Sequence, residues 1–415
     1  METDAPGSSL SKRNYILLTI ALFLSMAAMG LADNVKGPAL PRIQDEFTLT
    51  ELHLGIMLAA NGIGYLTACL YTAALANKIG MKACLVISLA IVTGAGVSVS
   101  LSPGFAALLI SLFFLNLSFG MMDISISVLG ARIFTKKTGT MLNLMHLCYG
   151  AGAIVSPVIS ARIMVTYYGD MILGWRNAYL ILLSFAIIPV IPAILGRMNK
   201  QDKGEKSKGY AKLLRRPTLW FVTLAIAFGT ACEVGVTSWL AIFLEKAYSF
   251  TAEQAAVRLT LYFVCFTVAR LGFGPLIDKF GLINSLIFFS GASGVLIATG
   301  VLIGVSGTPI LILAGLMTAP IFPTAIAVTA KLFADEVDKA MTVMLTVFGI
   351  FLAPAHFTVG GIINYVRTLM TGYSGEVEAR IAYSAGYLLI GLFGFISFAA
   401  TLFLRMKQKK AGTLV

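Results

Sequence analysis

CFTVARLGFGPLIDKFG, residues 265–281, repeats GYLTACLYTAALANKIG, residues 64–80, in a register that sets residue 64 against 265. That register pairs Asn77-Lys78-Ile79-Gly80 with Asp278-Lys279-Phe280-Gly281. In both copies a long apolar run ends in a short polar break. Pro157 and Pro354 occupy matching places in later runs after a few residues of slippage. A chain that repeats itself at half its length is built from two similar units.

The apolar runs say what kind of units. Of 415 residues, 58% are hydrophobic and 12% charged, where a soluble domain carries about 25% charge. A helix needs roughly 20 mostly apolar residues to cross a bilayer. Such runs lie near 14–34, 52–76, 81–100, 104–132, 139–166, 174–196, 217–245, 253–277, 282–304, 308–332, 338–366 and 378–405. Only a helix satisfies its own backbone in lipid without closing a barrel. The roughly ten-residue alternation of a β-barrel is missing. The polar stretch RMNKQDKGEKSKGYAKLLRR, 197–216, separates six runs from six. The expected organisation is a six-helix bundle over 1–196, a basic linker over 197–216 and a second bundle over 217–415. A six-plus-six repeat suits a transporter whose halves rock about a central site.

Charge sets the orientation. With the N-terminus inside, 22 of the 31 Lys and Arg residues fall on the cytoplasmic side and eight opposite, with Arg270 inside a run. The net charge of +12 therefore reads as topology; no clustered basic domain offers a nucleic-acid surface. The expected location is the cell inner membrane, with both termini cytoplasmic. The first run lacks a small-residue cleavage site and reads as a span rather than a signal peptide. All five cysteines fall inside runs, without a C-x-x-C pair, and read as free thiols.

GPLIDKFG at 274–281 resembles the loop motif between spans two and three of the major facilitator superfamily, in its second-half copy. The first-half copy, ALANKIG, carries Asn77 where an acid is usual. The resemblance covers essentially the whole chain. It implies an all-α membrane fold, twelve helices in two six-helix bundles related by pseudo-twofold symmetry. GLADNVKGPALPRIQDEF (30–47), GMMDISISVLGARI (120–133), NLMHLCYGAGAIVSP (143–157) and APIFPTAIAV (319–328) are similar to the fucose permease and glucose transporter branch. That branch implies a proton-coupling acid at Asp33 and a carboxylate at Asp123; Ser127 stands where it carries Asn.

A charge at the bilayer centre costs about 2.5–3.5 kcal/mol on insertion scales, so embedded polar residues mark cavities or partners. Asp33 ends the first run beside Asn34 and Lys36. Asp123 sits within the fourth, on a face with Asn116, Gly120, Ser127 and Gly130. Glu233 falls within one residue of the repeat equivalent of Asp33. Burial penalises a charged carboxylate, which makes these three acids proton carriers; His146 joins them as a titratable side chain. Asn61, Tyr65, Asn116, Ser127, Asn143, Thr237, Trp239, Thr324 and His356 are the expected substrate-lining residues. Trp239, with Phe263, would stack on a ring, and Thr324 is the repeat equivalent of Asp123. Arg270 and Asp278 read as structural charge, the arginine pairing with the aspartate or snorkelling to the interface.

No nucleophile elbow, Walker loop or H-E-x-x-H helix suggests an enzyme. Transport without an ATP-binding domain draws on an ion gradient, here protons, with sodium as the alternative. No cofactor or bound metal is expected; the expected partners are a small-molecule substrate and the lipid bilayer around a monomer. The leading expectation is proton symport of a small neutral solute, a hexose by resemblance. All four glutamines (Gln44, Gln201, Gln254, Gln408) lie outside the runs, which leaves few amides for a sugar. The alternative is a proton antiporter exporting an amphiphile or cation, with metal export as a variant. GAIVSP partly resembles the antiporter signature of drug exporters. A receptor that binds without transporting is the reading of a different class.

Overall fold

The computed structural model describes residues 11–134, 138–198 and 211–411. Lys136, Lys137 and residues 199–210 of the basic linker lie outside the described residues.

The helices follow the apolar runs. α1 (Lys12–Asp33) turns at Asn34–Val35 into α2 (Lys36–Glu46). α3 (Glu51–Ile79), α4 (Met81–Ser100), α5 (Phe105–Ile133) and α6 (Thr138–Val165) come next. A small antiparallel ribbon, β1 (Tyr167–Tyr168) and β2 (Met171–Ile172), precedes the sixth crossing. This crossing is broken into α7 (Gly174–Ser184), a 3-10 turn over Phe185–Ile187 and α8 (Val190–Leu195). Pro189 and Pro192 remove backbone donors there. α9 (Ala211–Leu214) leads into α10 (Pro217–Tyr248), α11 (Ala252–Gly272), α12 (Gly274–Phe280) and α13 (Leu282–Ile303). The chain ends with α14 (Thr308–Thr318), α15 (Ile321–Leu332), α16 (Val337–Leu369) and α17 (Gly375–Ala411).

Eleven described segments are long and apolar enough to cross a membrane. One of them, Leu282–Leu332, has 51 residues. It folds back at Gly304 so that α13 packs on α14, and it crosses twice. Counted so, the described residues supply twelve candidate crossings.

Two differences from the sequence reading have clear causes. Residues 36–46 lie outside the expected spans yet form α2. Pro38 falls in its first turn, where a missing N–H costs nothing. Ala39, Leu40 and Ile43 are fully buried, and the helix packs on α10 and α11. The eighth run, expected to reach 277, breaks at Phe273, because Pro275 opens a new short helix. The repeat itself is visible in the backbone. Gly80 (φ 90°, ψ 150°) and Gly281 (φ 83°, ψ 147°) adopt the same left-handed conformation between consecutive helices. Only glycine holds it without strain.

Some hydroxyls within the helices bond to their own backbone, as Thr72 to Ala68 O (2.6 Å) and Thr401 to Ser397 O (2.8 Å) do, which satisfies those buried donors.

Contacts group the chain into two compact units. The first is Met1–Asp33, Gly64–Gly152 and Tyr179–Glu205; the second is Asn34–Ile63, Ala153–Ala178 and Lys206–Val415. The core of the second unit includes Leu219, Val222, Leu286, Ile321, Met344 and Leu404. This unit also joins residues from both halves of the sequence through charge pairs. Arg42 of α2 meets both oxygens of Glu245 on α10, at 2.6 and 2.7 Å. Asp45 pairs with Lys246 at 2.6 Å. Glu51, 1% exposed, is gripped by Arg367 of α16 and by the Gln44 amide at 3.1 Å. Arg367 also binds Glu378 of α17 at 2.7 Å. The sequence reading assigned these residues no role, since each resembles an ordinary loop charge.

Arg367→Gln leaves Glu51 as a buried, uncompensated carboxylate. It should cost about 3 kcal/mol, the low end for breaking a buried pair because the Arg367 side chain is 38% exposed. Adding Glu51→Gln should recover most of the loss. Melting of the purified protein in detergent checks this; identical curves for the single and double variants contradict it.

Candidate functional site

Two of the embedded acids sit in the first unit, each capped by a tyrosine. Asp33, the last residue of α1, accepts a hydrogen bond from the Tyr149 hydroxyl of α6 at 2.9 Å. Asp123 of α5 accepts one from Tyr65 of α3 at 2.8 Å. Both acids are half-buried. Tyr179 of α7 lies within electrostatic range of Asp33, and Tyr65 lies within range of Tyr149. The two pairs therefore form one cluster.

Close helix crossings make these pairs. A Cβ on Gly152 would stand 2.5 Å from Ala27 O and 2.7 Å from Leu31 N. Glycine there lets α6 approach α1 and bring Tyr149, one turn earlier, to Asp33. Between α3 and α5, a Cβ on Gly120 would stand 2.9 Å from Tyr65 O and 2.8 Å from Ala68 Cβ. Gly64 is similarly tight against Phe113 O. Small residues are the usual means of drawing helices together in a membrane.

A tyrosine cap differs chemically from a cationic one. The phenol both donates and accepts, so it bonds to a carboxylate and equally to a protonated carboxyl. An arginine partner offers only donors and a permanent charge, which holds its carboxylate ionised.

Glu233 lies in the second unit, 3.6 Å from Arg270 of α11. The sequence reading has Arg270 either pairing with Asp278 or snorkelling to the interface. The break at Phe273 instead puts those two on separate helices, Asp278 is exposed, and the arginine turns toward Glu233.

The remaining expected residues divide. His146 is exposed on α6, Ser127 is exposed on α5, and the backbone of Asn143 lies in α6 while its side chain is outside the described ones. Asn116 gives its amide to Leu112 O of its own helix at 2.9 Å. Thr237 bonds to Val234 O at 3.1 Å. Asn61 Oδ1 and Thr324 Oγ1 are buried without a hydrogen-bond partner among the described residues. His356 is buried, within electrostatic range of Lys36. Trp239, expected as a stacking platform, is fully enclosed and presents no face to a ring; Phe263 is buried as well. Among the described residues, no three His, Cys, Asp or Glu side chains converge as metal ligands. The sequence reading missed Tyr149 and Tyr179. The spacing of Tyr149 three residues before Gly152 was the available signal.

The family model described as Major Facilitator Superfamily matches residues 22–354. The chain belongs to the major facilitator superfamily. It is a multi-pass membrane protein of that family. Bypass of stop codon protein 6 of Saccharomyces cerevisiae is 22% identical over 64% of this chain, and the match spans 58% of the yeast protein. The 3-(3-hydroxy-phenyl)propionate transporter of Escherichia coli is 24% identical over 78% of this chain and 79% of its own length. Among solved structures, a bacterial homologue of the human lysosomal transporter Spinster aligns with a TM-score of 0.79 and 13% identity, covering 96% of this chain and 98% of that one. The E. coli fucose:proton symporter aligns with a TM-score of 0.63 and 17% identity, covering 94% and 99%. At these identities the likeness is one of fold.

Gly152→Val should force α1 and α6 apart, lower the melting temperature and reduce the yield of monodisperse protein. Gly94→Ala is the control, because its Cβ meets nothing within 4 Å. Equal behaviour of the two variants contradicts the close-crossing account.

Proposed function

We propose that this member of the major facilitator superfamily is a secondary active transporter, working by alternating access and coupled to protons carried by Asp33 and Asp123. The observation that carries the reading is the tyrosine cap on each acid. Two neighbouring carboxyls in the membrane interior, each with a partner indifferent to its protonation, make a proton site that discharges without collapsing. Neutralised, they also lower the cost of moving a closed cavity through hydrocarbon.

The excess of Lys and Arg favours the N-terminus inside, an orientation in which α2 and the start of α3 face outward. On this orientation the pairs Arg42–Glu245, Asp45–Lys246 and Glu51–Arg367 fasten helices of the second unit to one another near its outer end. The cargo is a small organic solute imported with protons. The resemblance to the fucose permease branch offers a hexose, and the relative with 78% coverage is a transporter of an aromatic acid. The loose charge pair of the second unit favours the acid.

Proteoliposomes under an inward proton gradient test the coupling, with labelled hexoses and 3-phenylpropionate as cargo. Asp33→Asn and Asp123→Asn should reduce gradient-driven uptake to background, while Asp123→Asn retains solute exchange in the absence of a gradient. Undiminished gradient-driven uptake in Asp123→Asn removes that residue from the mechanism.

A further inference from the structure

Arg270 is poorly satisfied for a cation on a membrane helix. Among the described residues its guanidinium makes one long hydrogen bond, from Nε to Ala319 O at 3.4 Å. Glu233 faces it at 3.6 Å, beyond hydrogen-bond length, and Glu233 Oε2 is buried with no hydrogen-bond partner among the described residues. The Phe266 ring, one turn earlier on α11, lies 4.3 Å from the guanidinium carbon and supports its plane. Tyr262 and Thr318 share their hydroxyls with each other at 2.7 Å, so neither fills the gap.

A pair that served only to neutralise charge would close. Arg42 and Glu245, in the same unit, do so at 2.6 and 2.7 Å to both oxygens. The Glu233–Arg270 pair is held open, with donors and an acceptor left over and 31% of the arginine side chain exposed. Planar donors on an aromatic support, loosely countered by a carboxylate, match the bidentate recognition of a carboxylate.

We propose that Arg270 binds the carboxylate of a small organic acid, which replaces Glu233 as the partner of the guanidinium. The proposal rests on the transport reading for the role of that acid as cargo. A dianionic phosphate ester carries more charge than Arg270 alone offsets, which favours a carboxylate. Glu233 lies within electrostatic range of Tyr262 of α11 and of its own neighbour Cys232, and Tyr387 of α17 lies within range of those two. Among the described residues none of these supplies a cation, so Glu233 takes a proton from the aqueous side as the acid enters. One proton then accompanies each carboxylate, and the loaded site bears no added charge.

The test is a thermal-shift titration of the full chain in lipid nanodiscs at one pH. The probes are acetate, lactate, benzoate and 3-phenylpropionate, each against its neutral amide. At least one acid should raise the melting temperature saturably while its amide does not. Glu233→Gln, which removes the competing carboxylate, should tighten that acid about tenfold. The uncharged pair Glu233→Gln with Arg270→Gln should melt like Glu233→Gln alone without ligand, and lose the response. No acid-over-amide difference in either the wild type or Glu233→Gln overturns the proposal, as does a response that survives the double substitution. Acid binding without accumulation in proteoliposomes would leave this site standing and sink the transport reading. Proton-driven uptake of a neutral sugar without acid binding would do the reverse.

Discussion

A carboxylate held in a bilayer needs a partner, and the chemistry of that partner decides whether it keeps its charge. This constraint sorts the acids of the chain. Glu51 and Glu245 are held by arginines as structural fastenings. Asp33 and Asp123 are held by phenols, which tolerate either protonation state. Glu233 stands between, facing a cation that does not close on it. The fastening, the proposed proton site and the proposed exchangeable pair answer one energetic demand.

Helix spacing connects that chemistry to the sequence. A phenol reaches an aspartate on another helix only if the two backbones come close, and Gly152 and Gly120 permit it. Larger residues there would leave each acid facing hydrocarbon or water. The functional cluster therefore depends on side chains that are absent as much as on those present.

The crossings and the repeat were legible because both are local or periodic properties. Apolar length defines a span, and Gly80 and Gly281 mark the same backbone turn at equivalent positions. Asp33 and Asp123 stood out because they interrupt apolar sequence. Their partners did not stand out. Tyr149 is one of 14 tyrosines, and its pairing is a tertiary fact. α2 was hidden by Pro38 and Pro41, which read as loop until burial against α10 and α11 compensates. Proximity in sequence suggested Asp278 for Arg270, and the helix break at Phe273 undid that pairing. Trp239 looked like a ligand platform only because nothing in a sequence distinguishes an aromatic in a cavity from one in the core.

Infrared difference spectroscopy of the reconstituted protein reads the protonated carboxyl directly through its C=O stretch. The account predicts carboxyl bands that appear and vanish across the functional pH range, with separate components missing in Asp33→Asn and in Asp123→Asn. It also predicts shifted bands in Tyr149→Phe and Tyr65→Phe, where the capping hydroxyl is gone. A spectrum with no titrating carboxyl traceable to either aspartate would contradict the proton-site reading at its root.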